Sequence, residues 1–335
     1  MNAKLNFQKL RIIVNSRTAA KKKIKKCFYP GCNEKSINSH ILQRKGILDK
    51  ISTDSHLWTF RNNHQKDELE FKRLGLKKAF AFNCFCNHHD TELFKEIETT
   101  DIDFTKYRTM LLFTLRVLYD EIYKKMLFVE TRELILDTNS DLFDKEDLIR
   151  DIEDGKLAIS DLKRIEQKII LDLEQNTEHF VFKKRDIPRI ALCVSTFFTY
   201  DTTEETDKAE AELGRKLDRY TEMFISIFPY QQGNILMMGY EKIDEVKVKD
   251  YFDEFFIEEN PELCYMKITN LLIFNCENKV FGDQFYNRKI EGIESKYIEA
   301  TQFMLDKNNK NERTSFKINF YDEDFKQIFS ALKFK

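Results

Sequence analysis

Turn formers are scarce in this chain: 9 Gly and 4 Pro among 335 residues. That excludes long flexible linkers and a barrel built from many tight turns. No apolar run approaches the roughly 20 residues of a membrane span. The best candidate, Met110 to Leu118, is interrupted by Arg116. No continuous signal-peptide core opens the sequence. Its basic, acid-poor start is faintly like a transit peptide, but it leads straight into Cys27 and reads as part of the mature domain. The phosphate-loop, dinucleotide, nucleophile-elbow and HExxH zinc-protease patterns are all missing. There is no internal repeat, and no low-complexity tract beyond one lysine run.

What the chain does contain is ample material for a core: 42% hydrophobic residues, including 30 Phe and 13 Tyr, alongside 33% charged residues. Its length suits two domains, or one with a large elaboration. The net charge of -2 hides a gradient. Residues 1–50 hold 13 Lys or Arg against Glu34 and Asp49, a net of +11, which leaves -13 on the rest. A basic module joined to an acidic body points to a polyanion partner, with a solvated basic arm as the plainer reading. The run Lys21, Lys22, Lys23, Lys25 and Lys26 is the candidate nucleic-acid contact.

Cysteine is odd-numbered, at seven, in a chain too long to need disulfide staples. Four cysteines and five of the six histidines lie between Cys27 and Asp90. Cys193, Cys264 and Cys276 sit in apolar runs and read as small buried hydrophobes. This usage fits a reducing compartment, and the cytoplasm is the expected location.

The expected fold class is α+β in three parts: a basic arm with a treble-clef zinc domain (1–100), a helical region of long amphipathic helices (101–185) and an α+β C-terminal domain (186–335). In the first part, Ile41-Leu42, Ile47-Leu48 and His56 to Phe60 read as short strands, Arg61 to Arg73 as a polar loop or exposed helical turn, and Ala79 to Phe82 as a strand. Leu111, Leu115, Leu118, Ile122 and Met126 make one stripe of a helix over 104–136. A second helix is expected over about 156–183, after an acidic, turn-like stretch from Asp137 to Asp154. This pair packs on its own domain or supplies a homo-oligomer or protein interface. Beyond Asp186, strands are expected over 190–198, 220–229 and 235–240, and helices over 201–219, 252–257 and 266–274 with Pro261 between the last two. Phe316, Ile318 and Phe320 alternate like an edge strand before a short closing helix.

The chemistry concentrates in the Cys/His stretch. Zinc takes thiolate sulfur and imidazole nitrogen in a tetrahedron, usually as two ligand pairs. Cys27 and Cys32 flank a Pro-Gly turn, and Cys86 and His89 stand at C-x2-H spacing where a helix begins. Together they form a Cys3His set, with Cys84 and His88 as substitutes. A knuckle, a hairpin and a helix carrying the last two ligands make a treble clef.

Over about residues 27–95 the stretch resembles the zinc-stabilised HNH, or ββα-metal, nuclease superfamily. The resemblance puts Ser39-His40-Ile41 at the family's Asp-His-Ile position, which makes His40 the general base that activates water. It puts Asp90 at the position of the ligand for a catalytic Mg or Mn ion, and His56 is a further candidate. The sequence departs from the pattern in three places. Ser39 stands for the acid, Ala81 is near the middle Asn position with Asn83 out of register, and Leu93 occupies the downstream position. The resemblance implies a metal-dependent endonuclease acting on nucleic acid, DNA more than RNA. Small prokaryotic proteins of this layout resemble anti-phage defence effectors. A non-catalytic zinc-binding DNA- or RNA-binding module and a zinc-stapled protein-interaction factor are the competing expectations. Asn62, Asn63, His64 and His179 read as exposed polar residues, and Arg189 as a cap or ion-pair partner.

Overall fold

The computed structural model describes residues 3–63, 68–138, 140–215, 217–305 and 316–334. His64 lies outside them. The chain forms two compact units interleaved in sequence: 1–41, 61–70 and 81–177 in the first, 42–60, 71–80 and 178–335 in the second. The sequence reading drew consecutive segments, whereas these units exchange short stretches of chain between 41 and 81. Among the described residues no helix is long and apolar enough to cross a membrane.

The first unit contains α1 (Ala3–Lys23), the two-residue strands β1 (Ser39–His40) and β4 (Ala81–Phe82), α2 (Asn87–Glu92), α3 (Tyr107–Asp137) and α4 (Lys145–Gln175). Helix α3 packs against both α1 and α4. Every residue from Thr109 to Asp120 is buried, so the first half of α3 is covered on all sides and its apolar stripe is only part of its buried surface. The basic arm is helix as far as Lys23. Ala20 and Ile24, on either side of the start of the lysine run, are buried with Leu127.

The second helix starts at Lys145, about eleven residues earlier than its apolar periodicity suggests. Asp144 caps it, accepting from the N–H groups of Glu146 (2.9 Å) and Asp147 (3.0 Å). Acidic side chains in that first turn suit the positive end of the helix, so the stretch that reads as an acidic turn is helix from Lys145 onward. The helix also ends early. Asn176 adopts a left-handed conformation (φ 55°), and Phe180 to Ile187 then forms a strand where continued helix was expected.

The second unit is built on a seven-stranded sheet. It uses β2 (His56–Asn63), β3 (Glu68–Gly75), β5 (Phe180–Ile187), β6 (Leu192–Thr199), β7 (Glu222–Tyr230), β8 (Gly233–Glu241) and β9 (Lys279–Phe281), in the order β3-β2-β9-β6-β7-β8-β5. Residues 61–70 group with the first unit. The described residues from Arg61 to Arg73 are strand. Their charged side chains suit β3 to the edge of the sheet, where a polar, lysine-bearing strand resists further pairing. β7 and β8 pair in register from Met223–Tyr240 to Tyr230–Gly233, closed by Gln231 and Gln232. Both are buried on both faces, which explains their continuous apolar sequence.

The helices of this unit are α5 (Thr203–Leu213), α6 (Glu245–Asp253), α7 (Pro261–Phe274), α8 (Asp283–Phe285, running into a π turn at Tyr286–Ile290), α9 (Glu294–Leu305) and α10 (Phe325–Ala331). Thr202 and Glu205 form a capping box at the start of α5, and Gly214 (φ 66°) ends it. Asn260 caps α7, with Pro261 at its first position.

Among the described residues three expected strands do not form. Ile41-Leu42 and Ile47-Leu48 are buried, but Gly46 (φ 100°) turns the chain and its N–H is held by the Asp49 carboxylate at 2.7 Å, so a short 3-10 helix follows (Leu48–Ile51). Phe316 to Phe320 pairs with no strand. Its backbone is satisfied by side chains of α7, Asn270 for Phe316 and Thr269 for Phe320, and Asn319 is buried along with Ile318 and Phe320.

Candidate metal centre

The candidate metal ligands converge through a short backbone framework. The Cys27 N–H donates to the Glu34 carbonyl (2.8 Å) and the Cys32 N–H to the Tyr29 carbonyl (3.0 Å), while Gly31 takes a positive φ of 76° at the turn. The segment 84–86 runs beside this knuckle: the Phe28 N–H reaches the Cys84 carbonyl and the Ile37 N–H the Phe85 carbonyl, both at 2.7 Å. Ser39 pairs with Phe82 and His40 with Ala81. Cys86 then caps α2 in extended conformation, which puts His89 in the first turn, facing back.

As a result the ligand atoms of Cys27, Cys32, Cys86 and His89 all lie within 4.8 Å of one another. His89 Nδ1 stands 3.5 Å from Cys27 Sγ and 3.3 Å from Cys86 Sγ, and Cys32 Sγ stands 4.0 Å from Cys86 Sγ. A tetrahedron with ordinary zinc–sulfur and zinc–nitrogen bonds has edges of about 3.5–3.8 Å. The donor set and its spacing therefore fit a metal such as zinc. The ring of His89 stacks on Tyr29 with centroids 4.2 Å apart, which fixes its plane.

Cys84 is set apart from this group. It is buried, and its thiol donates to the Tyr119 carbonyl at 3.2 Å. His88, the other substitute ligand, is exposed. Phe85 packs edge-on against Phe94 (4.9 Å) and Tyr119 (5.0 Å), anchoring the ligand-bearing segment to α3.

Burial pushes the Cys27 thiol up to about 11. Burial also acts to raise the Cys86 thiol, but N–H groups of His89 and His88, with hydrogen bonds from Cys27 and Cys32, bring it below the ordinary value. Burial, then the neighbouring His88, holds the His89 imidazole below its usual value, in the neutral form that binds metal.

The other candidates are distributed differently. His40 is half-buried on β1. Ser39 before it is fully buried, and its hydroxyl has no hydrogen-bond partner among the described residues, so it does not orient the imidazole. Asp90 is half-buried, with one carboxylate oxygen 3.5 Å from Arg116. That guanidinium is 3% exposed, pairs also with Glu98, and lies 4.3 Å over the Phe94 ring. His56 belongs to the second unit. Lys21, Lys22, Lys23, Lys25 and Lys26 are all exposed; Lys23 pairs with Glu130, and Lys26 donates to Asn33 at 3.3 Å. Arg189 donates to the carbonyls of Gly233 and Lys50.

Sequence reasoning passed over Arg116 because it interrupts an apolar helix and read only as a flaw in that run. Comparison of the chain with family models, curated proteins and solved structures returns no match.

Proposed function

We propose that the first unit is a zinc-stapled treble-clef module that binds nucleic acid. The observation that carries this reading is the convergence of Cys27, Cys32, Cys86 and His89 at tetrahedral spacing. Zinc here is structural: four protein ligands close the coordination sphere and leave no position for water or substrate. The exposed lysines at the end of α1 and just after it supply phosphate contacts of the salt-sensitive, sequence-independent kind.

Non-catalytic binding is favoured over hydrolysis by one contact. Asp90, which the HNH resemblance would give to Mg or Mn, is held by a buried arginine already shared with Glu98. The endonuclease reading keeps one support of its own, the half-buried His40 on the strand that follows the knuckle. In that reading His40 would take the proton from an attacking water, and Asp90 would help to hold a divalent ion that would supply positive charge beside the phosphate.

Two measurements on the purified chain decide between them. Metal analysis should find about one zinc per chain, and near-zero zinc in protein never exposed to chelator would overturn the zinc reading. Incubation with single- and double-stranded DNA and RNA plus Mg or Mn should show salt-dependent binding without cleavage. Cleavage lost in His40→Ala with zinc retained would establish the nuclease instead. Absence of any binding would sink both.

A further inference from the structure

The second unit carries a basic cavity remote in sequence from the lysine run. It is a solvent-open hollow of about 800 Å³ where β2 begins and β3 ends. Three basic dipeptides line it: Arg44-Lys45 in the turn before the 3-10 helix, Lys72-Arg73 on the edge strand β3, and Lys77-Lys78 in the turn after that strand.

The backbone holds these three segments in place. Asp54 and Ser55 both take positive φ (50° and 59°) in a tight turn, closed by paired hydrogen bonds between Thr53 and His56. The Leu76 N–H reaches the Ser55 carbonyl at 2.9 Å, and Lys78 and Ala79 both donate to the Gly75 carbonyl.

Charge in the cavity is poorly compensated. Asp49 is the one acidic residue in its lining, and that carboxylate is engaged by the Gly46 N–H. Arg73 is satisfied by Asp283 (2.9 Å) and the Thr53 carbonyl (3.1 Å). Among the described residues, Arg44, Lys45, Lys72 and Lys78 have no ion-pair partner. Like charges gathered this closely repel one another, and an anion relieves that cost. His56 also lines the cavity. Its Nδ1 stands 2.7 Å from the Asp54 carbonyl, which can only accept, so Nδ1 bears the hydrogen and Nε2 is left as the ring's second polar atom.

The lining also indicates the ligand. It contains no Phe, Tyr or Trp on which a base could stack. Its cations come from three chain segments, a spread that suits a row of phosphates better than one compact group. We propose that this cavity holds consecutive phosphates of a nucleic-acid backbone, as a second contact of the chain with its polyanion. The proposal rests on the nucleic-acid reading above and extends it to the second unit.

The test uses the full chain and a fluorescein-labelled oligonucleotide, single-stranded and duplex, titrated over a range of salt concentrations. Lys72→Glu combined with Lys78→Glu should weaken binding at least about tenfold and reduce the slope of log K against log salt by about 2. Zinc content and thermal melting should not change. Arg44→Ala with Lys45→Ala, on a separate segment, should act in the same direction more weakly, which guards against one pair failing to fold. If wild-type protein binds the oligonucleotide and both pairs bind it equally well with unchanged salt slope, the cavity assignment is wrong and the nucleic-acid reading survives. If wild-type protein binds no oligonucleotide, both fall together. Should inorganic pyrophosphate or ATP bind in a Lys72- and Lys78-dependent way while oligonucleotide binding is indifferent to these residues, the cavity is a small-anion site and the backbone assignment is overturned.

Discussion

The two units put the same residue types to opposite uses. In the first, three cysteines converge on one histidine, each thiol within reach of another ligand atom. In the second, Cys193, Cys264 and Cys276 are buried among strands and helices as small apolar groups, and burial holds the Cys193 thiol well above its ordinary range and raises that of Cys264. Cations divide in the same way. Arg116 in the first unit is buried and shared between two carboxylates, whereas the cavity of the second gathers exposed cations of which most lack one. Residue type therefore says little about role until geometry shows what each side chain meets.

The sharpest test of this contrast is a pair of identical substitutions. Cys86→Ser removes a candidate ligand while leaving a residue that still suits the start of α2, and should abolish zinc binding and expose residues 27–92 to proteolysis, because the folding energy of such a module is largely metal-binding energy. A chelator should reproduce the effect in unaltered protein. Cys193→Ser should leave zinc content at the wild-type level and cost only about 1–3 kcal/mol, the price of a buried hydroxyl replacing a thiol. Equal loss of metal from both variants would break the comparison.

A smaller effect is expected at Arg116. Replacing it by Met removes the shared partner of Asp90 and Glu98 and the cation over Phe94. Both carboxylates retain partial access to water, so the cost should be about 2–3 kcal/mol, less than for a fully buried pair. Denaturant unfolding measures it. A neutral outcome would show that Asp90 does not depend on this arginine and would return it to the list of free metal ligands.

Much of the architecture is readable before any coordinates. The Cys3His group is legible because its chemistry is local, two pairs at characteristic spacing, and the central strands because burial on both faces leaves an unbroken apolar run. What escapes has a physical reason in each case. Strand β3 is hidden by charged residues that belong on an edge. The start of α4 is hidden because Asp144, Glu146 and Asp147 serve as cap and first turn while reading as loop. The alternation of Phe316, Ile318 and Phe320 misleads because side chains of α7, rather than a neighbouring strand, satisfy that backbone. The basic cavity joins three dipeptides separated by up to about thirty residues, and no local pattern connects them.

Lys279 sharpens the comparison of cations. Unlike the cavity lysines, it is fully buried. It donates to the carbonyls of Leu272 and Cys276, both at 2.5 Å, near the end of α7, and lies 5.9 Å and 5.6 Å from the ring centroids of Phe60 and Tyr297. Burial lowers its pKa from the ordinary 10.5 to about 8, with the charges of Cys276 and Glu277 opposing. The folded chain therefore gives up this proton at lower pH than the unfolded chain does. Between about pH 8 and 10.5 the unfolded state binds more protons, so the Lys279 contribution to stability rises with pH across that window. Other groups titrate there too, notably the buried Tyr297, whose raised pKa acts the opposite way as unfolded tyrosine ionises. The comparison with Lys279→Met isolates the lysine. The variant should lose about 1–3 kcal/mol near pH 7 from two unsatisfied carbonyls, and its deficit should widen as pH rises from 8 to 10.5. Parallel stability curves for variant and wild type across that range would show that Lys279 stays protonated in the fold, held by its carbonyls more strongly than burial opposes it.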